Sequence, residues 1–286
     1  MIEDTQTENF EDVQYIKEKF SCIKKEIEKV IVGQDEMIEA IIIALFADGH
    51  ILLEGYPGLG KTITVKTLSR AIDAKFQRVQ FTPDLVPGDI TGYELCDPET
   101  RKSTVQKGPI FTNLLLADEI NRAPAKVQSA LLESMQEKQV TIGRETFKLE
   151  KLFTVLATQN PIEISGTYLL PEAEVDRFMF KLRVTYPSYT EEREIAERQV
   201  SDKEPELVVV LHPDEIISLR HFITEKIPLH KESEILKYST RIVRETRPNG
   251  DGDEYISNMV MYGASPRASI YLAKTARVCA FLSGSK

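Results

Sequence analysis

The run Gly55-Tyr-Pro-Gly-Leu-Gly-Lys-Thr62 has the spacing G-x-x-x-x-G-K-[ST], and Gly55, Pro57, Gly58, Leu59, Gly60, Lys61 and Thr62 are its candidate ligands. Glycines at these offsets let successive backbone N–H groups turn toward one point, and a helix opening at the lysine adds the partial positive charge of its N-terminus. Such a loop cradles the phosphates of a nucleoside triphosphate. Lys61 is expected to reach the outer phosphates and Thr62 to hold Mg²⁺. A second candidate group closes the run Leu114-Leu-Leu-Ala-Asp-Glu119, where a buried strand would deliver two carboxylates at its carboxyl end. Asp118 is placed to hold Mg²⁺ through water, and Glu119 to polarise the attacking water.

Three further residues complete the chemistry that nucleotide hydrolysis needs. Asn160, in Thr158-Gln-Asn160, follows the strand-like run Leu152 to Ala157. Its amide has two readings: a sensor that binds the nucleophilic water and the γ-phosphate, or an Asx-turn before Pro161. Arg177 and Arg267 are candidates for stabilising transition-state charge, against the alternative of solvated surface arginines. Arg177 sits in Pro171-Glu-Ala-Glu-Val-Asp-Arg-Phe178, just before the last expected core strand and so near a sheet edge. Arg267 follows Pro266 in the first turn of an expected helix, which would hold it rigidly. His50, His212, His221 and His230 lack ligand spacing and read as structural. Ser165 and Ser269 have no nearby histidine and carboxylate in sequence to support acyl transfer.

The elements that position these residues show in the hydrophobic pattern. Val13, Ile16, Phe20, Ile23, Ile27 and Val30 recur at three and four, predicting an amphipathic helix from Glu11 to about Val30 after a frayed, acidic dozen residues. Asp35 is expected to cap a second, more buried helix from Glu36 to Phe46. Strand-like runs follow at 51–53, 76–81, 114–117, 152–157 and 178–184, with helical segments at 62–72 and 126–138 between them. This alternation predicts an α/β fold whose mainly parallel sheet is covered on both faces. Two polar segments, 91–107 and 139–149, read as β-hairpins projecting from that core. After Pro187 the pattern turns helical, with a linker near 201–206 and a smaller helical domain beyond it.

Composition sets the outer bounds. The 286 residues suffice for a full core and a smaller second domain. Acidic side chains outnumber basic ones, 45 to 36, for a net charge of −9, which disfavours nonspecific attraction to nucleic acid. Cys22, Cys96 and Cys279 are odd in number and widely spaced, arguing against a disulfide framework or a zinc site and for a reducing cytoplasm. No apolar run approaches the ~20 residues of a spanning helix, and the first residues lack the order of a signal peptide.

Taken in order, the motifs resemble the MoxR family of AAA+ ATPases from about Val30 to Ala268. Besides the phosphate loop they include Val79-Gln-Phe-Thr-Pro-Asp-Leu85, Asp89-Ile-Thr-Gly92, Gly108-Pro-Ile-Phe111, Asp118-Glu-Ile-Asn-Arg-Ala-Pro124, Gln128-Ser-Ala-Leu-Leu-Glu133, Ala157-Thr-Gln-Asn-Pro161, Gly166-Thr-Tyr168, Leu170-Pro-Glu-Ala173, Asp176-Arg-Phe178 and Gly263-Ala-Ser-Pro-Arg-Ala268. The resemblance implies an AAA+ P-loop core over residues 1–187, with a five-stranded sheet flanked by helices, and a helical lid over 188–286. It implies ATP and Mg²⁺ as cofactors, in sites shared between neighbours of a homo-oligomeric ring, usually a hexamer. Lys61, Thr62, Asp118, Glu119 and Asn160 match the Walker A, Walker B and first sensor positions. Arg177 matches the arginine finger given to the adjacent subunit, Arg267 the second sensor in the lid, and Val32 and Gly33 the segment against the adenine. Segment 91–107 matches the clade's insert in the second helix, and 139–149 its hairpin before the first sensor. Family members are chaperone-like motors on protein clients, often beside proteins with von Willebrand factor A domains. The chain ends at Phe281-Leu-Ser-Gly-Ser-Lys286, where the family's lid continues, so an incomplete lid is expected.

Two other classes compete with a protein-remodelling motor. A nucleic-acid motor would share the helix-two insert and the hairpin, but the acidity and the tip Ile142-Gly-Arg-Glu145, with one cation and no aromatic for stacking, count against it. A nucleotide-gated adaptor would not need Glu119.

Overall fold

The computed structural model describes residues 3–96, 103–161, 168, 170–201, 205–229, 233–248, 255 and 259–283, with side chains from Val13 to Leu282. The tip of the 91–107 insert (97–102), Gly166 and Thr167, the linker residues 202–204 and the end 284–286 lie outside the described residues. In chain order the elements are α1 (Glu3–Glu28), α2 (Asp35–Ala47), β1 (Ile51–Gly55), α3 (Lys61–Ala71), β2 (Phe76–Gln80), α4 (Pro87–Thr91), β3 (Gly92–Cys96) and β4 (Ser103–Lys107). Then come β5 (Leu114–Asp118), a 3-10 turn (Ile120–Arg122), α5 (Ala125–Glu137), β6 (Gln139–Ile142), β7 (Glu145–Lys148), β8 (Thr154–Gln159) and α6 (Glu172–Val175). The chain closes with β9 (Phe180–Val184), α7 (Tyr189–Val200), α8 (Pro213–Lys226), α9 (Glu234–Glu245) and α10 (Pro266–Ser283).

Five strands form one parallel sheet in the order β2-β5-β8-β1-β9. Period-two alternation sorts their side chains to two cores: Leu53, Leu114, Leu116 and Leu156 face one, and Leu52, Leu115, Ala117, Val155 and Ala157 the other. Both faces are apolar because helices cover both. The stripe of α1, through Ile16, Ile23 and Ile27, joins α2 and α3 on the first face. On the second, Val127, Leu131, Leu132 and Met135 of α5 pack with Ile90 of α4. Truncating a fully buried leucine such as Leu116 to alanine would cost about 2–5 kcal/mol.

The starts of the first two helices differ from the sequence reading. Helix α1 begins at Glu3 instead of Glu11. Asp35 is not a cap but the first helical residue, where its charge favours the helix dipole. The preceding Gln34 takes the left-handed conformation (φ 60°) and donates from its amide to the Thr185 carbonyl, 2.9 Å away.

Both expected hairpins form, and they differ in exposure. In β3–β4, Gly92 pairs with Lys107 and Cys96 with Ser103, and Tyr93 and Leu95 lie in solvent. The β6–β7 hairpin does not simply project: Val140, Ile142 and the following Leu149 are buried in the second core. A strand of alternating polarity buries its apolar side wherever a surface is at hand, and α4 and α5 supply one.

From α7 onward the described residues are helical or irregular. Leu211, Ile216 and Ile223 from the α8 region and Val278 and Phe281 of α10 enter the first core beside α1 and α2, so this region shares its apolar cluster with the sheet domain. Arg220 of α8 fastens the junction. Its Nε donates to the Leu45 carbonyl at the end of α2 (2.7 Å), and its Nη1 pairs with Asp48 (2.7 Å), which also takes the ammonium of Lys138. Burial opposes ionisation of Asp48, yet Arg220 and then Lys138 hold its carboxyl below the ordinary range. Among the described residues no helix is long and apolar enough to cross a membrane.

His50, just before β1, is buried, as its structural reading expects. Nδ1 accepts from the Val155 N–H (3.0 Å), so the proton sits on Nε2, which faces the Met135 carbonyl at 3.4 Å. Burial pushes its pKa from 6.5 down to about 4. The folded state therefore prefers neutral His50, and below pH 6.5 the unfolded chain takes up the proton first. The stability linked to this site is complete above pH 6.5 and is lost as pH falls toward 4, by about 3 kcal/mol. Urea midpoints between pH 7.5 and 4.5 should fall for the wild type more steeply than for His50→Asn, which keeps an acceptor but cannot titrate. Parallel pH profiles would dismiss His50 as the source. A second expectation concerns the first hairpin: replacing residues 93–106 by a two-glycine turn should leave a cooperative thermal melt, within about 2 kcal/mol of the parent. Loss of cooperativity would make the hairpin part of the core.

Candidate nucleotide site

The carboxyl ends of β1, β5 and β8 lie side by side, because Leu53 pairs with Thr158 and Ala117 with Ala157. A cavity of about 350 Å³ opens there, lined by the loop residues Gly55 and Pro57 through Ile63, by Asp118, Glu119, Thr158 and Asn160, and by Arg78 and Gln80 of β2. The loop bends through Gly58 (φ 82°) and Gly60 (φ 77°), left-handed conformations that glycine adopts at little cost. A Cβ on Gly58 would meet no atom within 4 Å, so the hollow beside the backbone N–H groups is open. Helix α3 starts at Lys61 and aims its N-terminus into the cavity.

Lys61 is 9 % exposed, and its ammonium donates to the Gly55 carbonyl. Burial lowers its pKa, against the opposing pull of Asp118 and Glu119. A buried ammonium with one carbonyl partner is poised for an anion. Thr62 is half-buried on the same wall.

Asp118 and Glu119 are held by different partners. The Thr158 hydroxyl accepts the Glu119 N–H (2.8 Å) and donates to Asp118 Oδ1 (2.6 Å). Asp118 Oδ2 receives Arg78 through Nη2 (2.6 Å) and Nε (3.1 Å). Glu119 takes the left-handed conformation (φ 57°), unusual for a side chain of its size, which swings its carboxylate toward Gln80 and Arg122. Its Oε2 accepts from Gln80 Nε2 and from Arg122 Nη1, each at 2.8 Å. Gln80 in turn accepts from Arg78 Nη2 (2.9 Å). Arg78 and Gln80 therefore form a rail along β2 that touches both carboxylates. Asn160 is 8 % exposed and lines the cavity with them. Fully buried Gln128 of α5 props this wall, its Nε2 within 3.0–3.1 Å of the carbonyls of Ile120, Ala123 and Tyr168.

Four of the sequence candidates lie away from this cavity. Val32 is buried in the connection before α2, and Gly33 lies against the Glu191 side chain of α7. Arg177 and Arg267 lie together elsewhere. Arg267 donates to Gln136 Oε1 (2.9 Å) and approaches Asp176 Oδ2 (3.4 Å), which also takes the Ser265 hydroxyl (2.5 Å). The Tyr271 hydroxyl donates to the Arg177 carbonyl (2.9 Å), and Arg177 Nε is buried without a hydrogen-bond partner in the described residues. Helix α10 thus seats Arg267 beside the Asp176–Arg177 segment.

The sequence reading missed Arg78, Gln80 and Arg122. Their signal was present but silent: Arg78 and Gln80 are two apart on one strand and so share a face, but that face meets the carboxylates only once β2 pairs with β5, Gln80 opposite Asp118.

Residues 50–180 match the ATPase family associated with various cellular activities (AAA). The chain is 45 % identical over 260 residues to Chaperone MoxR1 of Mycobacterium tuberculosis, covering 91 % of this chain and 68 % of that one. It is 29 % identical over 280 residues to Protein MoxR of Methylorubrum extorquens, covering 91 % and 80 %. A crystal structure of a protein from Cytophaga hutchinsonii superposes with a TM-score of 0.85 at 43 % identity, covering 98 % of this chain and 84 % of that one. With the phosphate loop, the paired carboxylates and the parallel sheet in place, these matches establish that the chain belongs to the MoxR family of AAA+ ATPases.

Proposed function

We propose that the chain binds ATP with Mg²⁺, hydrolyses it, and uses the cycle as a chaperone-like motor that remodels or matures protein complexes. The observation that carries this reading is the convergence of Lys61, Thr62, Asp118, Glu119 and Asn160 on one cavity at the ends of parallel strands. Lys61 and the loop N–H groups bind the phosphates. Glu119, off the metal side, takes the proton of the attacking water, and Asn160 orients that water against the γ-phosphate. Mg²⁺ supplies charge neutralisation at the outer phosphates, and the hydroxyl of Thr62 and the carboxylate of Asp118, both hard oxygen donors, suit it. Val32 and Gly33 take the adenine side. The chaperone name borne by a relative supports protein clients, and the net charge of −9 speaks against nucleic acid. The setting we propose is cytoplasmic, in a hexameric homo-oligomer, with a von Willebrand factor A domain protein as the kind of partner expected.

The separation of Arg177 and Arg267 from the cavity supports a site completed by a neighbouring copy. Arg177 stands three residues before the edge strand β9, and Arg267 is held beside it through Asp176.

Lys61→Ala should abolish ATP binding in a fluorescent-nucleotide titration. Glu119→Gln should bind normally and lose turnover by about a hundredfold or more. Near-normal ATPase activity in Glu119→Gln would remove the residue from this role.

Arg177→Ala and Arg267→Ala should each bind ATP and hydrolyse it poorly, with about a thousandfold loss for an arginine finger. Mixed with Lys61→Ala subunits, which cannot bind ATP but still offer both arginines, each should recover part of the activity. Verified co-assembly without recovery would place the affected arginine in its own subunit's site.

A further inference from the structure

The cation on Asp118 in this structure is Arg78, and nothing in the motifs requires an arginine there. Its Nη2 and Nε both donate to Oδ2, at 2.6 and 3.1 Å, while the other oxygen, Oδ1, takes the Thr158 hydroxyl at 2.6 Å. Both oxygens of the carboxylate are therefore engaged. A divalent cation approaching Oδ2 would meet two N–H donors and a positive charge. The two partners of Asp118 differ in freedom. Thr158 is 1 % exposed and locked into the β8 ladder, whereas the Arg78 side chain is 48 % exposed and rises from the edge strand β2. The ion pair is also unnecessary for holding that strand, because β2 is registered against β5 along its whole length from Phe76 to Gln80. Partly exposed ion pairs contribute little to folding.

We propose that Arg78 is a metal-mimicking residue: it holds the oxygen of Asp118 that a divalent cation or its bound water would take, and must release it when the cation binds with nucleotide. This rests on the reading of Asp118 as the metal-side ligand. Arg78 acts as a competitor, keeping the carboxylate paired and aligned without metal and weakening metal binding by the worth of the pair. Arg78 also donates to Gln80, which holds Glu119, so its departure frees one partner in the rail that reaches the second carboxylate.

The test is a binding experiment on the full chain: Mn²⁺ affinity, read by electron paramagnetic resonance in the presence of a non-hydrolysable ATP analogue, for wild type, Arg78→Met, Arg78→Lys, Asp118→Asn and the double variant Arg78→Met/Asp118→Asn. Removing this partly exposed pair, in which two N–H groups share one carboxylate oxygen, should tighten Mn²⁺ binding by about three- to tenfold in Arg78→Met. Arg78→Lys, with the charge but not the fork, should fall between it and wild type. Asp118→Asn should weaken Mn²⁺ binding, and adding Arg78→Met to it should change nothing further, because the competitor then has no ion to guard. Unchanged or weaker Mn²⁺ binding in Arg78→Met, with Asp118→Asn still weakened, overturns the role of Arg78 and leaves the metal site standing. Normal Mn²⁺ binding in Asp118→Asn overturns the metal-site reading, and the role of Arg78 with it. Thermal melts of each variant confirm that the comparison is between folded proteins.

Discussion

A sheet whose five strands all run the same way opens every strand's carboxyl end along one edge, and the site follows from that. Parallel strands must be buried on both faces, because their connections cross the sheet as helices. The apolar requirement here is met by alternating leucines: Leu114 and Leu116 point to one core, Leu115 and Ala117 to the other. Once those side chains are sorted, register is set, since a slip of one residue would exchange the two faces of a strand. With register set, Asp118 stands opposite Gln80, and Thr158 opposite Leu53 near the phosphate loop. The polar geometry of the cavity is thus imposed by the packing of residues that take no part in its chemistry.

Such a site gathers charge where water is scarce, and the structure shows how that charge is balanced. Lys61 loses hydration, which lowers its pKa, and two carboxylates nearby work the other way. The carboxylate of Asp118 takes Thr158 and Arg78, and that of Glu119 takes Gln80 and Arg122. Two adjacent carboxylates held by different groups can serve different roles, because each sits in its own electrostatic environment. The left-handed turn at Glu119 makes that separation possible, and the Thr158 hydroxyl braces the turn from below.

The C-terminal helices are fastened to the sheet domain at two places of different character. At the first, apolar residues of α8 and α10 enter the core and Arg220 satisfies the Leu45 carbonyl at the end of α2, a carbonyl that the helix itself leaves unpaired. At the second, Ser265, Arg267 and Tyr271 grip Asp176 and Arg177 through polar contacts near the surface. The first is a packed junction and resists movement. The second is a set of exchangeable hydrogen bonds, so the orientation of Arg177 is sensitive to how α10 sits.

Much of this was legible in the residues alone. The five strand-like runs, the two hairpins and the phosphate loop follow from periodicity and glycine placement, which are local properties. Lys61, Asp118, Glu119 and Asn160 were legible because each stands at a strand end or loop whose neighbours announce it. What local pattern cannot carry is pairing across the chain. Arg78 and Gln80 looked like ordinary exposed residues of an edge strand until β2 lay against β5, and β6–β7 read as a projecting hairpin until α4 and α5 offered its apolar side a surface. The placement of Arg267 was likewise undetermined by its helix-start position, because a residue's distance from a site depends on which way its helix packs. Sequence determined which elements form and which residues end them; the tertiary structure decided which charges meet, because Coulombic and hydrogen-bonding partners are chosen by distance in space, not along the chain.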